Sequence, residues 1–190
     1  DPHETGMKGP LILLLLLSTV MVRSQDIRRV SRSRIDFLSI APMENIAATN
    51  TAATGIFDVE QRTFAIQVPV QAFVGFNSPL QREHFNENYL ESNRFPYMVF
   101  QGRLIESTDL SKPGTYRVRA KGDLTVHGVL RERIIECVLV VTKDGIRVTS
   151  SFTVKLADHA IRIPRVVHQK IAEDVQVKLD MLIGPKSARP

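Results

Sequence analysis

Alternation of apolar and polar side chains recurs along most of this chain and limits what it can fold into. One long, clean run extends from residue 116 to residue 126, where apolar or small residues alternate with mainly charged and polar ones. Successive side chains of a β-strand point to opposite faces of a sheet, so this pattern is typical of a strand with one buried and one solvated face. No long helical pattern competes with it. The sequence therefore predicts an all-β protein.

The same alternation predicts eight strands and one helix. Turn signals separate several of them, namely Lys112-Pro113-Gly114, His127-Gly128 and Lys143-Asp144-Gly145. One short helix is predicted within 78–92, between strands 3 and 4, because a proline at position 79 suits a first helical turn. The predicted strands are one that includes Ile35, Phe37 and Ser39, followed by about 51–59, 64–72, 98–105, 116–126, 130–142, 146–156 and 175–183.

Short connections without crossover helices favour an antiparallel up-and-down barrel of the lipocalin-like kind, since closure removes exposed sheet edges. An eight-stranded barrel is just wide enough to be filled by its own side chains or to hold one slender ligand. The inward positions are mostly Val, Ile, Leu and Phe, so we predict an apolar lining in which each buried methylene contributes about 0.8 kcal/mol to binding. The predicted lining is Phe37, Phe64, Ile66, Val68, Phe100, Tyr116, Val118, Leu124, Val148, Phe152, Val154 and Leu179.

An apolar run near the N-terminus predicts export. Met7-Lys8-Gly9-Pro10 precedes a run from Leu11 to Val22 that is too short to span a bilayer comfortably. A basic start, a short apolar centre and a small residue at the exit form a secretory signal peptide, which we expect to be cleaved after Ser24. Residues 1–24 would then be upstream residues plus signal peptide, and residues 25–190 a periplasmic or secreted barrel domain. An uncleaved membrane anchor is the alternative, disfavoured by Arg23 directly after the run.

Charge and cysteine content narrow the classes of function. The chain carries 25 Lys and Arg against 20 Asp and Glu, a formal net charge of +5. The basic residues are scattered, and the one local cluster, at 28–34, has no interleaved aromatic pattern, so a solvated segment is favoured over a nucleic-acid site. Cys137 is the only cysteine. A disulfide scaffold and a lipid-modified N-terminal cysteine are therefore not expected.

The residue types that commonly act in catalysis or bind metals form no recognised sequence motif. The four histidines after residue 24, which are His84, His127, His159 and His168, form no metal motif, and no serine lies in a G-x-S-x-G turn. Cys137, on an apolar strand, is expected to pack as a small hydrophobe. We predict no metal, no cofactor and no enzymatic activity. His84 and His127 are kept as polar candidates at the barrel mouth, with a helix cap and a hairpin as their alternative roles.

One hairpin segment resembles a known family. Residues 122–129 read Gly-Asp-Leu-Thr-Val-His-Gly-Val, which is similar to the hairpin of the YceI-like family. Residues 82–96 resemble the helix and following link of that family, and residues 158–164 match in kind, although a tryptophan near the start is missing here. The resemblance implies a lipocalin-like barrel that binds polyisoprenoid or similar lipids in the bacterial envelope without enzymatic activity.

The sequence thus predicts an exported binding protein that holds a long apolar lipid, polyisoprenoid or similar, as carrier or reservoir. Transient membrane contact fits such a role, and apolar residues read as outward, such as Val129, Val138 or Leu182, could pair two barrels into a homodimer. One alternative is a structural or interaction barrel with a filled interior. Another is an enzyme, which would need a cluster of titratable residues near His84 and His127.

Overall fold

The alternating segments form a closed antiparallel barrel in the computed structural model, which describes residues 25–185. Strand β1 pairs with both β2 and β3, each strand from β3 onward pairs with the next along the chain, and β1 also pairs with the last strand, which closes the barrel. The predicted all-β, up-and-down, lipocalin-like fold is confirmed. The predicted signal peptide lies outside the described residues. The strands are β1 Ile27–Ile40, β2 Asn45–Asn50, β3 Thr54–Asp58, β4 Thr63–Pro69, β5 Tyr97–Leu104, β6 Gly114–Val126, β7 Val129–Thr142, β8 Gly145–Lys155 and β9 Asp174–Ile183.

Two short strands share one position in this barrel. The first three residues of β1 pair with β3 and its last six pair with β2, and both ladders follow one continuous register. Nine strands within residues 25–185 therefore occupy eight positions. The start of the second strand predicted over 51–59 was wrong, because residues 51–53 do not belong to a strand and β3 begins at Thr54. There the side chain of Asn50 donates to the Pro69 carbonyl and accepts from the Ala52 amide, in place of ladder bonds.

The predicted helix is present as α1, Pro79–His84, which continues into a π-helical turn over Phe85–Tyr89. The hydroxyl of Ser78 caps it by accepting from the Gln81 amide, and Pro79 occupies the first turn. It follows β4 rather than a third strand, because β2 adds one strand before it. Three 3-10 turns complete the described elements: Val70–Ala72, Leu156–His159 and Arg165–Val167.

The two ends of the barrel differ. One end, which we call the mouth end, carries the loop 41–44, the long connection 70–96, the β6–β7 turn and the segment 156–173. The opposite, closed end is filled by a buried apolar cluster that includes Phe57, Val118, Leu139 and Ile146. Leu110, in the β5–β6 loop, is buried in the same cluster and covers that end.

Glycines are required at two places in the hairpin region that resembled a family motif. Gly122 of β6 faces Gly102 of β5, and a Cβ on either would lie within 2.2 Å of a backbone oxygen of the other strand. In the β6–β7 turn His127 and Gly128 have φ of 50° and 71°, which suits a two-residue hairpin loop. A Cβ on Gly128 would also meet the ring of Phe95 at 2.4 Å.

Candidate functional site

A cavity of about 550 Å³ lies in the barrel interior, so the side chains do not fill the barrel. The buried cluster at the closed end forms its floor, to which Phe57, Leu104 and Ala120 contribute. Its walls come from the inward faces of the strands, and helix α1 with the following turn lies against it at the mouth end. The structure thus provides an interior space of the size typical of ligand sites, roughly 300–1,000 Å³.

Most of the predicted lining residues border this cavity. Tyr116 and Val118 do not: Val118 is packed in the closed-end cluster, and the Tyr116 hydroxyl donates to the Lys112 carbonyl at 3.0 Å. Alternation identifies which residues of β6 face inward, but not which of them lie beyond the floor of the cavity. Contact of the others with a lipid stays a prediction. The ten that line the cavity are Phe37, Phe64, Ile66, Val68, Phe100, Leu124, Val148, Phe152, Val154 and Leu179.

Aromatic rings line the mouth end of the cavity. The ring of Phe85 lies 5.6 Å from that of Phe73 and 5.0 Å from that of Phe76, and all three contact Phe37 of β1. Sequence reasoning missed Phe73, Phe76 and Phe85 because they lie outside the alternating strands. The available signal was the spacing of Gln81, His84 and Phe85, which places one helical face toward the cavity.

A few polar groups border the cavity at its mouth. The carboxylate of Glu44 accepts from the side-chain amides of Gln81 at 2.9 Å and Asn77 at 3.2 Å, which ties the β1–β2 loop to helix α1. His84 borders the cavity, at the predicted position, and is exposed. Lys170 approaches from the segment after β8. The lining is therefore mainly apolar, and its charged side chains lie where the barrel opens to solvent.

His127 lies at the mouth end but outside the cavity lining. Its Nε2 is hydrogen-bonded to the carboxylate of Glu91, and its Nδ1 faces the carbonyl of His159 at 3.1 Å. Its ring also meets that of Phe95 edge-on, with centroids 4.9 Å apart. These contacts fasten the β6–β7 turn to the chain that follows the helix, which matches the alternative role in a hairpin rather than a headgroup contact.

His159 is fully buried, and sequence reasoning assigned it no role. Its Nδ1 lies 3.0 Å from the carbonyl of Val129 and therefore carries the proton that it donates there. Burial lowers the pKa of His159 below its ordinary value. Its Nε2 has no hydrogen-bond partner among the described residues. The side chain is thus held as a neutral imidazole, joining the segment after β8 to β7.

The wall is interrupted between β7 and β8. Their register runs from the turn at Thr142 only to the pair of Val138 with Thr149, whereas β7 pairs with β6, and β8 with β9, along nearly their whole length. Beyond that point two side chains bridge the strands: Ser150 donates to the Glu136 carbonyl, and Arg133 donates to the Thr153 carbonyl at 2.7 Å. We call this interruption the β7–β8 seam.

Cys137 lies at the β7–β8 seam. With Ser150 and Leu179 it borders both the interior cavity and a groove on the outer surface. Burial raises the pKa of the Cys137 thiol, so the side chain is a neutral thiol. A raised pKa is the behaviour of a packed small hydrophobe rather than of an activated nucleophile.

The described residues contain neither a metal-binding cluster nor a membrane-spanning helix. Within residues 25–185, no group of three or more His, Cys, Asp and Glu side chains is arranged to hold a metal ion. None of the helices in the same range combines the length and the apolar character needed to cross a membrane.

The fold and the cavity define a lipocalin-like barrel with an apolar interior. The family model of the YceI-like domain matches residues 29–182, and this chain therefore belongs to the YceI-like family. The predicted resemblance is confirmed. A search of curated protein sequences returns no match.

Several solved structures are similar to this one. A polyisoprenoid binding domain from Saccharophagus degradans, implicated in plant cell wall breakdown, has a TM-score of 0.71 and 11% identity over 85% of this chain and 99% of its own. BcnA from Burkholderia cenocepacia has a TM-score of 0.65 and 13% identity over 78% of this chain and 94% of its own. The Campylobacter jejuni YCEI protein has a TM-score of 0.57 and 13% identity over 72% of this chain and 81% of its own. At these identities the likeness concerns the fold alone.

Proposed function

We propose that this protein holds one long apolar lipid chain in the barrel interior, as a carrier or reservoir. The observation that carries the proposal is the cavity of about 550 Å³ with its apolar strand residues and aromatic mouth. Each methylene transferred from water into such a lining contributes about 0.8 kcal/mol, so a chain of several carbons would bind without a charged group inside the barrel. The cavity argues against the alternative of a structural barrel with a filled interior.

The proposed ligand is a polyisoprenoid or a similar lipid. An isoprenoid chain is apolar along its length and leaves no buried polar group without a hydrogen-bond partner, which an apolar lining could not supply. The similar structure from Saccharophagus degradans is described as a polyisoprenoid binding domain, and this supports the same ligand class here. A polar head would lie at the mouth, near His84 and Lys170.

The proposed role is binding rather than catalysis. Two titratable side chains of the lining, Tyr89 and Cys137, both have a pKa raised by burial, so neither is charged near neutral pH. Neutral side chains inside the barrel suit retention of an apolar ligand. No cofactor other than the bound lipid is proposed.

The proposed setting is the periplasm or the exterior of the cell, supported by the apolar run from Leu11 to Val22. A ligand of this kind resides in membranes, so transient membrane contact would be part of its loading or release. A homodimer stays a prediction. Val129 shares the buried face of Val126 across the β6–β7 hairpin, which leaves Val138 and Leu182 as outward candidates, and both are half-buried.

The test is native mass spectrometry of the protein purified from its own host, followed by extraction and lipid identification. We expect one long-chain lipid per protein chain. The variant Phe152→Asp, which places a charge in the lining, should lose that lipid, whereas Thr153→Asp, one residue along β8 and exposed, should keep it. A folded wild-type protein that carries no lipid under gentle conditions would contradict the proposal.

A further inference from the structure

Three chain segments are joined around the cavity mouth. The amide of Met43, in the β1–β2 loop, donates to the carbonyl of Gln169 at 2.8 Å. The same loop is joined to helix α1 by the hydrogen bond from Gln81 to Glu44. All three segments border the cavity, through Glu44, Leu80 and Lys170 among others. They therefore form one continuous surface around the opening.

Large apolar side chains project from all three segments. Met43 is 65% exposed, Leu80 is 57% exposed and Val166 is 90% exposed. We call these three residues the mouth rim. A large apolar side chain is thus exposed on each of three segments that adjoin the cavity, and exposed apolar side chains gathered in one region mark sites of interaction.

The charge beside the mouth rim is positive. The segment 160–172 carries exposed Arg162, Arg165 and Lys170 and contains no acidic residue. Acidic side chains on the other segments are Glu44, whose carboxylate is hydrogen-bonded by two amides, Glu91, which is hydrogen-bonded to His127, and Glu83 and Glu87; the last three do not border the cavity. The flanking acids Asp158 and Glu173 lie before and after the basic segment. The basic side chains adjoining Val166 thus complement an anionic surface.

We propose that the mouth end docks on an anionic phospholipid bilayer, with the mouth rim inserted among the headgroups and Arg162, Arg165 and Lys170 against the phosphates. Apolar side chains flanked by cations are the combination that holds amphipathic surfaces at a membrane interface. The inference rests on the proposed function in one respect: a lipid tail would pass between bilayer and cavity without crossing water. That continuity of the rim with the cavity favours a bilayer over a protein as the occupant.

The test is sedimentation of the purified protein with vesicles of phosphatidylcholine alone or mixed with phosphatidylglycerol. We expect binding to the mixed vesicles that weakens as salt is added, because salt screens exposed charges. The double variant Arg165→Glu, Lys170→Glu should weaken that binding by about tenfold or more, since each basic residue near an anionic surface contributes roughly a factor of five. The variant Val166→Asp should weaken it several-fold.

Matched controls lie on the barrel wall. Arg103→Glu, Arg117→Glu makes the same change in net charge on outward positions of β5 and β6, and Ile134→Asp changes an exposed apolar residue of β7. Both should bind mixed vesicles nearly as the wild type does. Equal losses in these controls and the mouth-end variants would overturn the docking surface, as would capture of a protein partner in place of vesicle binding.

Lipid retention, measured by native mass spectrometry on the same preparations, separates this proposal from the proposed function. A protein that carries lipid but binds no vesicles contradicts the docking surface alone. Vesicle binding through the mouth rim by a protein that carries no lipid supports docking and contradicts the lipid-holding function.

Discussion

Phe37 of β1 and Phe85 of the π-helical turn stack with ring centroids 5.4 Å apart and planes inclined by 13°. This contact joins the barrel wall to the helical segment that lies at the mouth of the cavity. The position of that segment therefore depends on an aromatic contact as well as on chain connectivity, and removing one ring should affect both stability and ligand retention.

We predict that Phe85→Ala lowers the free energy of unfolding by about 2–3 kcal/mol, less than the 3–5 kcal/mol of a fully buried phenylalanine, because Phe85 is half-buried. Denaturant titration measures that loss. The same variant should release a fluorescent fatty-chain probe faster than the wild type, whereas Phe85→Leu should be intermediate in both measurements. Equal release rates for all three proteins would show that the helical segment does not retain the ligand.

Filling the cavity should weaken binding without removing the fold. Val148 borders the cavity and is half-buried, so Val148→Trp would occupy part of the space available to a ligand. We expect the affinity for a long-chain probe to fall by at least tenfold, with a smaller effect on shorter chains. Thr149→Trp, the next residue of β8, lies outside the lining and serves as the control. Unchanged affinity in a folded Val148→Trp protein would place the ligand elsewhere.

Acid should destabilise the protein through His159. Because burial lowers its pKa below the ordinary value of 6.5, the unfolded chain binds the proton more readily than the folded one. The free energy of unfolding is then highest above about pH 6.5 and falls as the pH drops through the interval down to the folded-state pKa. Denaturant titrations across that interval measure the slope.

The variant His159→Asn keeps a donor for the Val129 carbonyl but has no titratable ring. We expect it to be less stable at neutral pH and to lose less stability than the wild type as the pH falls. His168→Gln removes an exposed histidine and should leave the pH dependence unchanged. A His159→Asn protein with the full wild-type slope would assign the acid sensitivity to other groups.

A methyl group at Gly122 should be poorly tolerated. Its Cβ would lie 2.2 Å from the Gln101 carbonyl oxygen, so β5 and β6 would have to separate. We expect Gly122→Ala to cost about 3 kcal/mol or more, in the range of severe overpacking. Gly184→Ala is the matched control, since its Cβ would meet its nearest neighbour at 3.6 Å, an ordinary contact. Thermal unfolding of the two variants side by side tests the difference.

Alternation predicted the barrel wall because the side-chain period of a strand is fixed by backbone geometry. It missed β2, whose sequence Asn-Ile-Ala-Ala-Thr-Asn carries little apolar contrast. It also placed Tyr116 and Val118 in the cavity. A period of two residues shows which side of a strand faces the interior but not how far along the barrel axis the cavity extends. The roles of Phe85 and His159 depend on where the long connections fold back over the barrel, and local pattern carries no information about that packing.

At the β7–β8 seam the backbone ladder closes the barrel wall only next to the turn between Thr142 and Gly145. A barrel with complete hydrogen-bond ladders has a diameter fixed by its strand number and the shear of its strands. Here the edges at the seam are held by the side chains of Arg133 and Ser150, which can change rotamer without breaking a ladder. We therefore expect the spacing of β7 and β8 beyond Val138 and Thr149 to vary more readily than that of the strand pairs with complete ladders.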